Sequence, residues 1–316
     1  MRTLSEGFKK DLLDGVLKEL LNRVKNDDTL MLAIRNDYIN IYYRGGNIIR
    51  ITEKLPAQYD AFFDHKYAKK DGGVYPLPAL PPMIQNDDDT KKWLEALSCL
   101  KQVMDFYLHQ HPKHEREFQQ LIVRENNASS ISNASEYFIT DIEYADARIG
   151  ARFDLTAIRW LADDRKNARK CNAAFIEMKY GDGALNGSSG MIKHLEDFSE
   201  LISDKGKYRS CLKMMESQFC QLDELGMLSY HQSSNVTGLA LPESEKPEVI
   251  FILANHNPRS MQLKTILEDP KLNEFDNGEL FDLRFYVASF AGYGLHSENM
   301  LSLTKMRKLL DDNRAS

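Results

Sequence analysis

Three residues near the middle of the chain have the types and spacing to hold a metal ion and a water molecule. Asp154 interrupts the otherwise apolar run 152–158, and Glu177 and Lys179 interrupt the run 173–180. A carboxylate inside an apolar strand has to be paired or to bind a cation, because a bare buried charge is too costly to keep. Side chains alternate along a strand, so Glu177 and Lys179 project from one face, roughly 6.5–7 Å apart along the backbone. If the Asp154 strand pairs with theirs, two carboxylates and an ammonium surround one point. Such a set suits a hard divalent cation, with two oxygen ligands, open water positions, and a lysine to orient or deprotonate a bound water. The competing reading is a buried Glu–Lys pair with Asp154 as a strand-end cap. Buried ion pairs add little net stability, so three ionic groups converging for that purpose alone is the less economical explanation.

The tripeptide acid-x-Lys is uninformative by itself, since it occurs around Lys66, Lys91, Lys166, Lys179 and Lys271. Only Glu177-Met178-Lys179 falls in a convincing strand preceded by another strand with a lone Asp. Residues 137–145, 151–160 and 173–180 read as strands, and their polar links are short enough for an antiparallel meander. A glycine-rich stretch, 181–190, leads into a helix over 191–202, and a second helix carries Tyr208, Leu212, Met215, Phe219, Leu222 and Leu225. Residues 248–255 and 283–290 are buried-strand candidates, and 302–310 forms a closing helix. The order helix, three strands, helix, strand predicts an α/β domain with a mixed central sheet.

Over residues 115–290 the chain resembles the PD-(D/E)XK nuclease superfamily of restriction-endonuclease-like folds. The resemblance rests on Asp154 in the second core strand, Glu177-Met178-Lys179 in the third, and the αβββαβ order around them. It implies that Asp154 and Glu177 bind Mg²⁺, with Mn²⁺ as a substitute, and that Lys179 positions the attacking water. A further Glu on the preceding helix often completes such a site. Glu115, which shares a helical face with Phe118, Leu121 and Ile122, fits that role first and Glu117 second. Asp141 and Glu143 share one face of the first strand and are candidates to extend the acidic cluster. The position before the motif Asp holds Phe153 rather than Pro, a departure at a loosely kept position. Many nucleases of this fold act as dimers, so a homodimer is a further implication.

The glycines at 181, 183, 187 and 190 would let backbone amides approach a phosphate, and the helix that follows adds its dipole. The pattern is not a P-loop, because no Lys-Ser/Thr closes a G-x-x-x-x-G frame. Lys193 and His194, one turn into that helix, are the expected substrate contacts; a hairpin loop beside a surface helix explains the same residues equally well. From 159 to 213 there are eleven basic and eight acidic residues, a local +3 in a chain whose total is −6. That excess hints at a phosphate-facing side.

The N-terminal part has a different pattern. Apolar residues from Phe8 to Val24 recur at three- and four-residue spacing and predict one amphipathic helix. Three alternating runs, 30–35, 38–44 and 47–52, are separated by Asn36-Asp37 and Gly45-Gly46, both two-residue turn signals, and predict a β-meander. Tyr42, Tyr43 and Arg44 have the types of a base-stacking surface, although half-buried strand aromatics are the commoner case. Prolines at 56, 76, 78, 81 and 82 make 55–89 a linker. A helix restarts at Asp89 as N-cap, Pro112 breaks it, and a second helix spans 115–124. His109, His111 and His114 sit at that break without Cys or Asp at ligand spacing, which is the pattern of a solvated helix end. Two domains are therefore expected: 1–88, helix plus meander, and 89–316, the nuclease-like domain.

The net charge of −6, from 41 basic and 47 acidic residues, excludes a nucleic-acid binder that grips by bulk positive charge. Cys99, Cys171, Cys211 and Cys220 form no C-x-x-C pair, so neither a zinc knuckle nor a redox motif is present. The first 25 residues carry charges throughout, and the apolar runs are too short to cross a bilayer. A cytoplasmic protein without membrane attachment is expected. The function expected from these residues and the resemblance is Mg²⁺-dependent hydrolysis of phosphodiester bonds in nucleic acid, DNA first. The rival is a catalytically inactive protein of the same fold that serves as a nucleic-acid or protein interaction module. A small-molecule phosphohydrolase, the third reading, requires a deep pocket.

Overall fold

A computed structural model describes residues 2–70, 72–128, 135–146, 151–185, 190–231, 238–257, 261–276 and 278–315. The chain is mixed α/β and divides into two compact units, one of residues 1–124 with 221–227 and one of 125–220 with 228–316. Among the described residues no helix is long and apolar enough to cross a membrane.

The first unit opens with two helices, α1 (Glu6–Asp14) and α2 (Lys18–Lys25), where the apolar spacing predicts one. Ser5 starts α1, its Oγ accepting from Phe8 N. Gly15 ends it, at a site where a Cβ would stand 2.3 Å from Asp11 Oδ1. Strands β1 (Leu30–Ile34), β2 (Tyr38–Tyr43), β3 (Gly46–Leu55) and β4 (Gln58–Phe62) then pair in chain order, antiparallel throughout. The β2–β3 turn is Arg44-Gly45, with φ of +48° and +68°, one residue earlier than the Gly-Gly signal suggests. Both central residues at positive φ are what a tight hairpin needs. The expected linker hides the fourth strand, β4, joined by Pro56-Ala57, with Tyr59 and Ala61 buried. It also contains a small hairpin, β5 (Lys69–Lys70) with β6 (Gly73–Val74), and a short strand, β7 (Met83–Ile84), that pairs antiparallel with β4 at the sheet edge.

Helices α3 (Asp87–Gln110) and α4 (His114–Val123) belong to this first unit, not to the second as a boundary at 88 implies. The physical reason is the apolar face of α3. Trp93, Leu97, Leu100 and Met104 are buried; Thr90 Oγ1 donates to Val16 O, Trp93 Nε1 to Pro81 O, and Lys101 pairs with Asp27. Asn86 rather than Asp89 is the N-cap, accepting from Asp89 N, while Asp89 accepts from Gln85 N.

The second unit is built on a five-stranded mixed sheet. Strands β8 (Tyr137–Asp146), β9 (Ala151–Arg159) and β10 (Asn172–Tyr180) form the expected antiparallel meander. β11 (Glu248–Ala254) and β12 (Asp282–Val287) add on in parallel to β10, giving the order β12-β11-β10-β9-β8. Between β10 and β11 run α5 (Met191–Ser203) and α6 (Lys205–Glu224), the crossover that parallel strands require. After β11 come α7 (Met261–Leu267), then α8 (Ala288–Ala291) at the end of β12 and α9 (Leu303–Ala315). β11 is buried along its whole length, which is why it reads as a continuous apolar run. One core forms where Phe153, Phe175, Phe198 and Leu195 pack together; the Phe153 and Phe198 rings stack at 5.0 Å.

Asn126 and Asn127, in a π turn at 124–128, tie the edges of this unit. Asn127 donates to Ile139 O at 2.7 Å and accepts from Ile139 N at 2.8 Å, next to the β8 bulge. Asn126 does the same to Tyr293 O and Leu295 N.

Candidate functional site

Asp154, Glu177 and Lys179 fall within one short stretch of the β9–β10 pair. The paired register of the two strands ends at Leu155↔Ile176. Beyond it β9 pairs only with β8, through Phe153↔Tyr144 and the residues that follow. Asp154 stands at the point of divergence, and its Oδ2 accepts from Met178 N at 2.8 Å. The carboxylate thus takes an amide of β10 where the main-chain ladder stops, between the two residues of the motif.

Glu177 and Lys179 both face away from the Ile176–Met178 side of β10 and are almost fully buried, at 4 % and 3 % exposure. Lys179 Nζ donates to Glu177 Oε1 at 2.9 Å. The roof over them is the first turn of α5. Met191, Leu195 and Phe198 bury that helix against the sheet, which puts His194, between them on the helical wheel, over the carboxylate. His194 Nε2 lies 2.9 Å from Glu177 Oε1, off the line of a straight hydrogen bond. Its side chain is 19 % exposed and Asp154 is half-buried, so solvent touches the edges of these two residues, while Nε2 and the Glu177–Lys179 pair are buried. Burial pushes the Glu177 carboxyl up, but His194 and Lys179 outweigh burial and hold it below its ordinary value.

The other expected contributors lie on α4, α5 and β8. Lys193, adjacent to His194, points along the solvent side of α5 and pairs with Asp197. Glu115 lies on α4 in the first unit. Glu117, also on α4, pairs with Arg44. Asp141 is buried, its Oδ1 accepting from Ile142 N, and Glu143 adopts φ +47° with Arg152 4.0 Å away. The register is regular from Asp141 to Asp146, and Glu143 falls between the pairs Ile142↔Leu155 and Tyr144↔Phe153, across from Asp154. Of the glycine-rich stretch, 186–189 lie outside the described residues; Gly181 has φ +69°, and Gly190 is the N-cap of α5.

Two residues that the spacing did not single out stand next to the cluster. His256 follows β11, and its ring nitrogens lie 3.0 Å from Lys179 O and 3.1 Å from Asp182 Oδ1. Together with Asn255, whose φ is +52° and whose amide donates to Tyr180 Oη, they occupy the carboxyl ends of two parallel strands. That is where ligands bind in open α/β sheets. The signal in the sequence was a polar Asn-His directly after a buried strand; recognising it required knowing that β10 and β11 are parallel neighbours.

The donor set fits a divalent cation of the Mg²⁺ kind in one respect and limits it in another. Asp154 and Glu177 are hard oxygen donors, and Mg²⁺ is ordinarily held by one or two carboxylates with water completing its shell. Both cationic contacts of Glu177 fall on Oε1. Among the described residues, however, no group of three His, Cys, Asp or Glu side chains is placed to hold a metal ion. Asp154 and Glu177 would be the protein donors to such an ion, and the described residues form no closed cage around it.

In the first unit, the Tyr42-Tyr43-Arg44 segment is an internal network. Tyr42 is buried, Tyr43 Oη donates to Asp105 at 3.0 Å, and Arg44 bridges Asp105 and Glu117. Burial and Asp105 push the Tyr43 hydroxyl up to about 12. Comparison of the chain with protein-family models, with curated proteins and with solved structures returned no match.

Proposed function

We propose that the second unit is a metal-dependent phosphodiesterase acting on nucleic acid, with DNA as the first substrate to test. The observation that carries this reading is the packing of Lys179 and His194 against Glu177, next to the Met178 amide that Asp154 holds. Asp154 and Glu177 are the residues that would hold Mg²⁺ or Mn²⁺. Such an ion, when bound, supplies charge neutralisation at the phosphate and acidifies a water. Lys179, beside Glu177, would orient that water and offer a second positive charge to the reacting phosphoryl group. His194 stands within proton-transfer range of Glu177 and near solvent, the position of a residue that contacts the phosphate or relays a proton. Asp154 also fixes the Met178 amide, so its removal disturbs the backbone between the two motif residues.

One observation favours a second reading. Glu177 and Lys179 already neutralise each other under cover, which is how a structural ion pair in an inactive nuclease-fold module would look. Incubation of the full chain with plasmid, linear duplex and single-stranded DNA, with and without Mg²⁺ or Mn²⁺, separates the two. The nuclease reading predicts cation-dependent cleavage that falls at least a hundredfold in Glu177→Gln and Lys179→Ala. Intact substrates under every condition, with a folded protein, would establish the module.

A further inference from the structure

On the first unit, the last turns of α3 and the β5–β6 hairpin bring together rings and cations that have no part in the cluster above. Tyr75 and Phe106 stack at 5.1 Å with planes 25° apart, and Tyr107 and His111 stack at 4.4 Å with planes 19° apart. Tyr107 also meets buried Tyr67 edge-on at 5.1 Å, which fixes the plane of the second stack. Residues 106 and 107 follow one another on α3, about 100° apart around its axis, so the two stacks lie on adjoining sides of its last turns. Phe106 is 46 % exposed and His111 lies open, so each stack presents one ring to solvent.

The cations lie around these rings. Lys70 Nζ sits 4.7 Å from the Tyr75 ring centre, and Lys66 Nζ sits 5.0 Å from that of Tyr67. Lys69 and Lys70 are exposed and make no ion pair among the described residues. Among the described residues, Asp105 is engaged with Arg44 and Tyr43, and Asp64 with Lys66. The negative end of α3 attracts cations by itself, which accounts for His109 and His111. It accounts neither for the two ring stacks nor for the hairpin lysines.

Flat rings with an open face beside ammonium groups that face solvent match a polymer with one base and one phosphate per unit. We infer that this face of the first unit binds single-stranded nucleic acid, with bases stacking on Phe106 and His111 and phosphates on Lys69 and Lys70. An acidic protein would use the lysines but not the ring faces, and a duplex hides its bases from them. The inference rests on the first unit alone and does not require the second unit to be catalytic.

The test is fluorescence anisotropy of the full chain with labelled (dT)12 and (rU)12, a duplex of equal length, and phosphatidylserine vesicles as competitor. EDTA is present throughout, so catalysis does not bear on the result. The single strands are expected to bind in preference to duplex and to weaken as salt rises. Lys69→Gln with Lys70→Gln should reduce the salt slope by about 1.4, or ~0.7 for each phosphate that is no longer neutralised. Phe106→Ala should weaken binding about fivefold or more and leave the salt slope unchanged. Both sites are exposed, and melting curves of the variants confirm folding. Absence of single-strand binding, equal binding by both variants and the parent, or displacement by vesicles in preference to duplex would each overturn the inference.

Discussion

Glu177 is the residue on which most of the chemistry converges, and its contacts determine what its removal does. Its carboxylate is buried between Lys179 and His194, and the pair holds it below its ordinary value near 4.5. A carboxyl lowered by folding stabilises the protein above that value, and the contribution is lost as pH falls through the folded-state value. Glu177→Gln should therefore cost the most at neutral pH, about 3–5 kcal/mol, because it leaves Lys179 buried without its counter-charge. The gap between parent and variant should narrow as pH drops below 4.5, measured by urea melts at a series of pH values. A constant gap would show that the carboxylate's charge is not what the site uses. At this scale part was legible: the two interrupted strands marked Asp154, Glu177 and Lys179, and the place one turn into the helix marked Lys193 and His194 together. Lys193 was not separable from His194 by sequence, since the choice depends on which side of α5 faces the sheet. His256 and Asp182 became visible only with the parallel pairing of β10 and β11.

At the scale of elements, the site depends on β9 leaving β10 at Leu155 and on α5 covering the gap. The strands themselves were readable because each is an apolar run bounded by polar links. The break in α1–α2 at Gly15, the β4 strand after Pro56-Ala57 and the attachment of α3 to the first unit were not. Tertiary packing decides the last two, with Tyr59 and Ala61 in the core and Trp93 on Pro81 O, while the break at Gly15 is local, Gly15 N and Leu17 N both donating to Asp11 O. The β8 edge depends on Asn127, which serves both polar groups of Ile139. Asn127→Ala should destabilise the protein by about 2 kcal/mol, since two buried backbone groups would go without hydrogen bonds, and amide exchange at Ile139 should accelerate. Gly45 makes a similar prediction in the first unit. At φ +68°, with Arg116 Cβ 2.4 Å from where a Cβ would go, Gly45→Ala should lower the midpoint of denaturation by an amount equivalent to about 1–3 kcal/mol.

For the whole molecule, charge and division into units set the terms. A net charge of −6 gives no general attraction to duplex, so any hold on nucleic acid must come from local features such as the Lys69–Lys70 face or the cation site. A ligand bound only by the folded state adds to stability by mass action. Mg²⁺ at about a hundred times its dissociation constant should add about 2.7 kcal/mol, read as a rise in melting temperature absent from Glu177→Gln. The most direct measurement is a Mn²⁺ titration followed by electron paramagnetic resonance, on the parent chain and on Asp154→Asn and Glu177→Gln. One ion bound per chain, and none in either folded variant, is the predicted result. No bound ion, or the same binding in all three proteins, would contradict a cation site at Asp154 and Glu177.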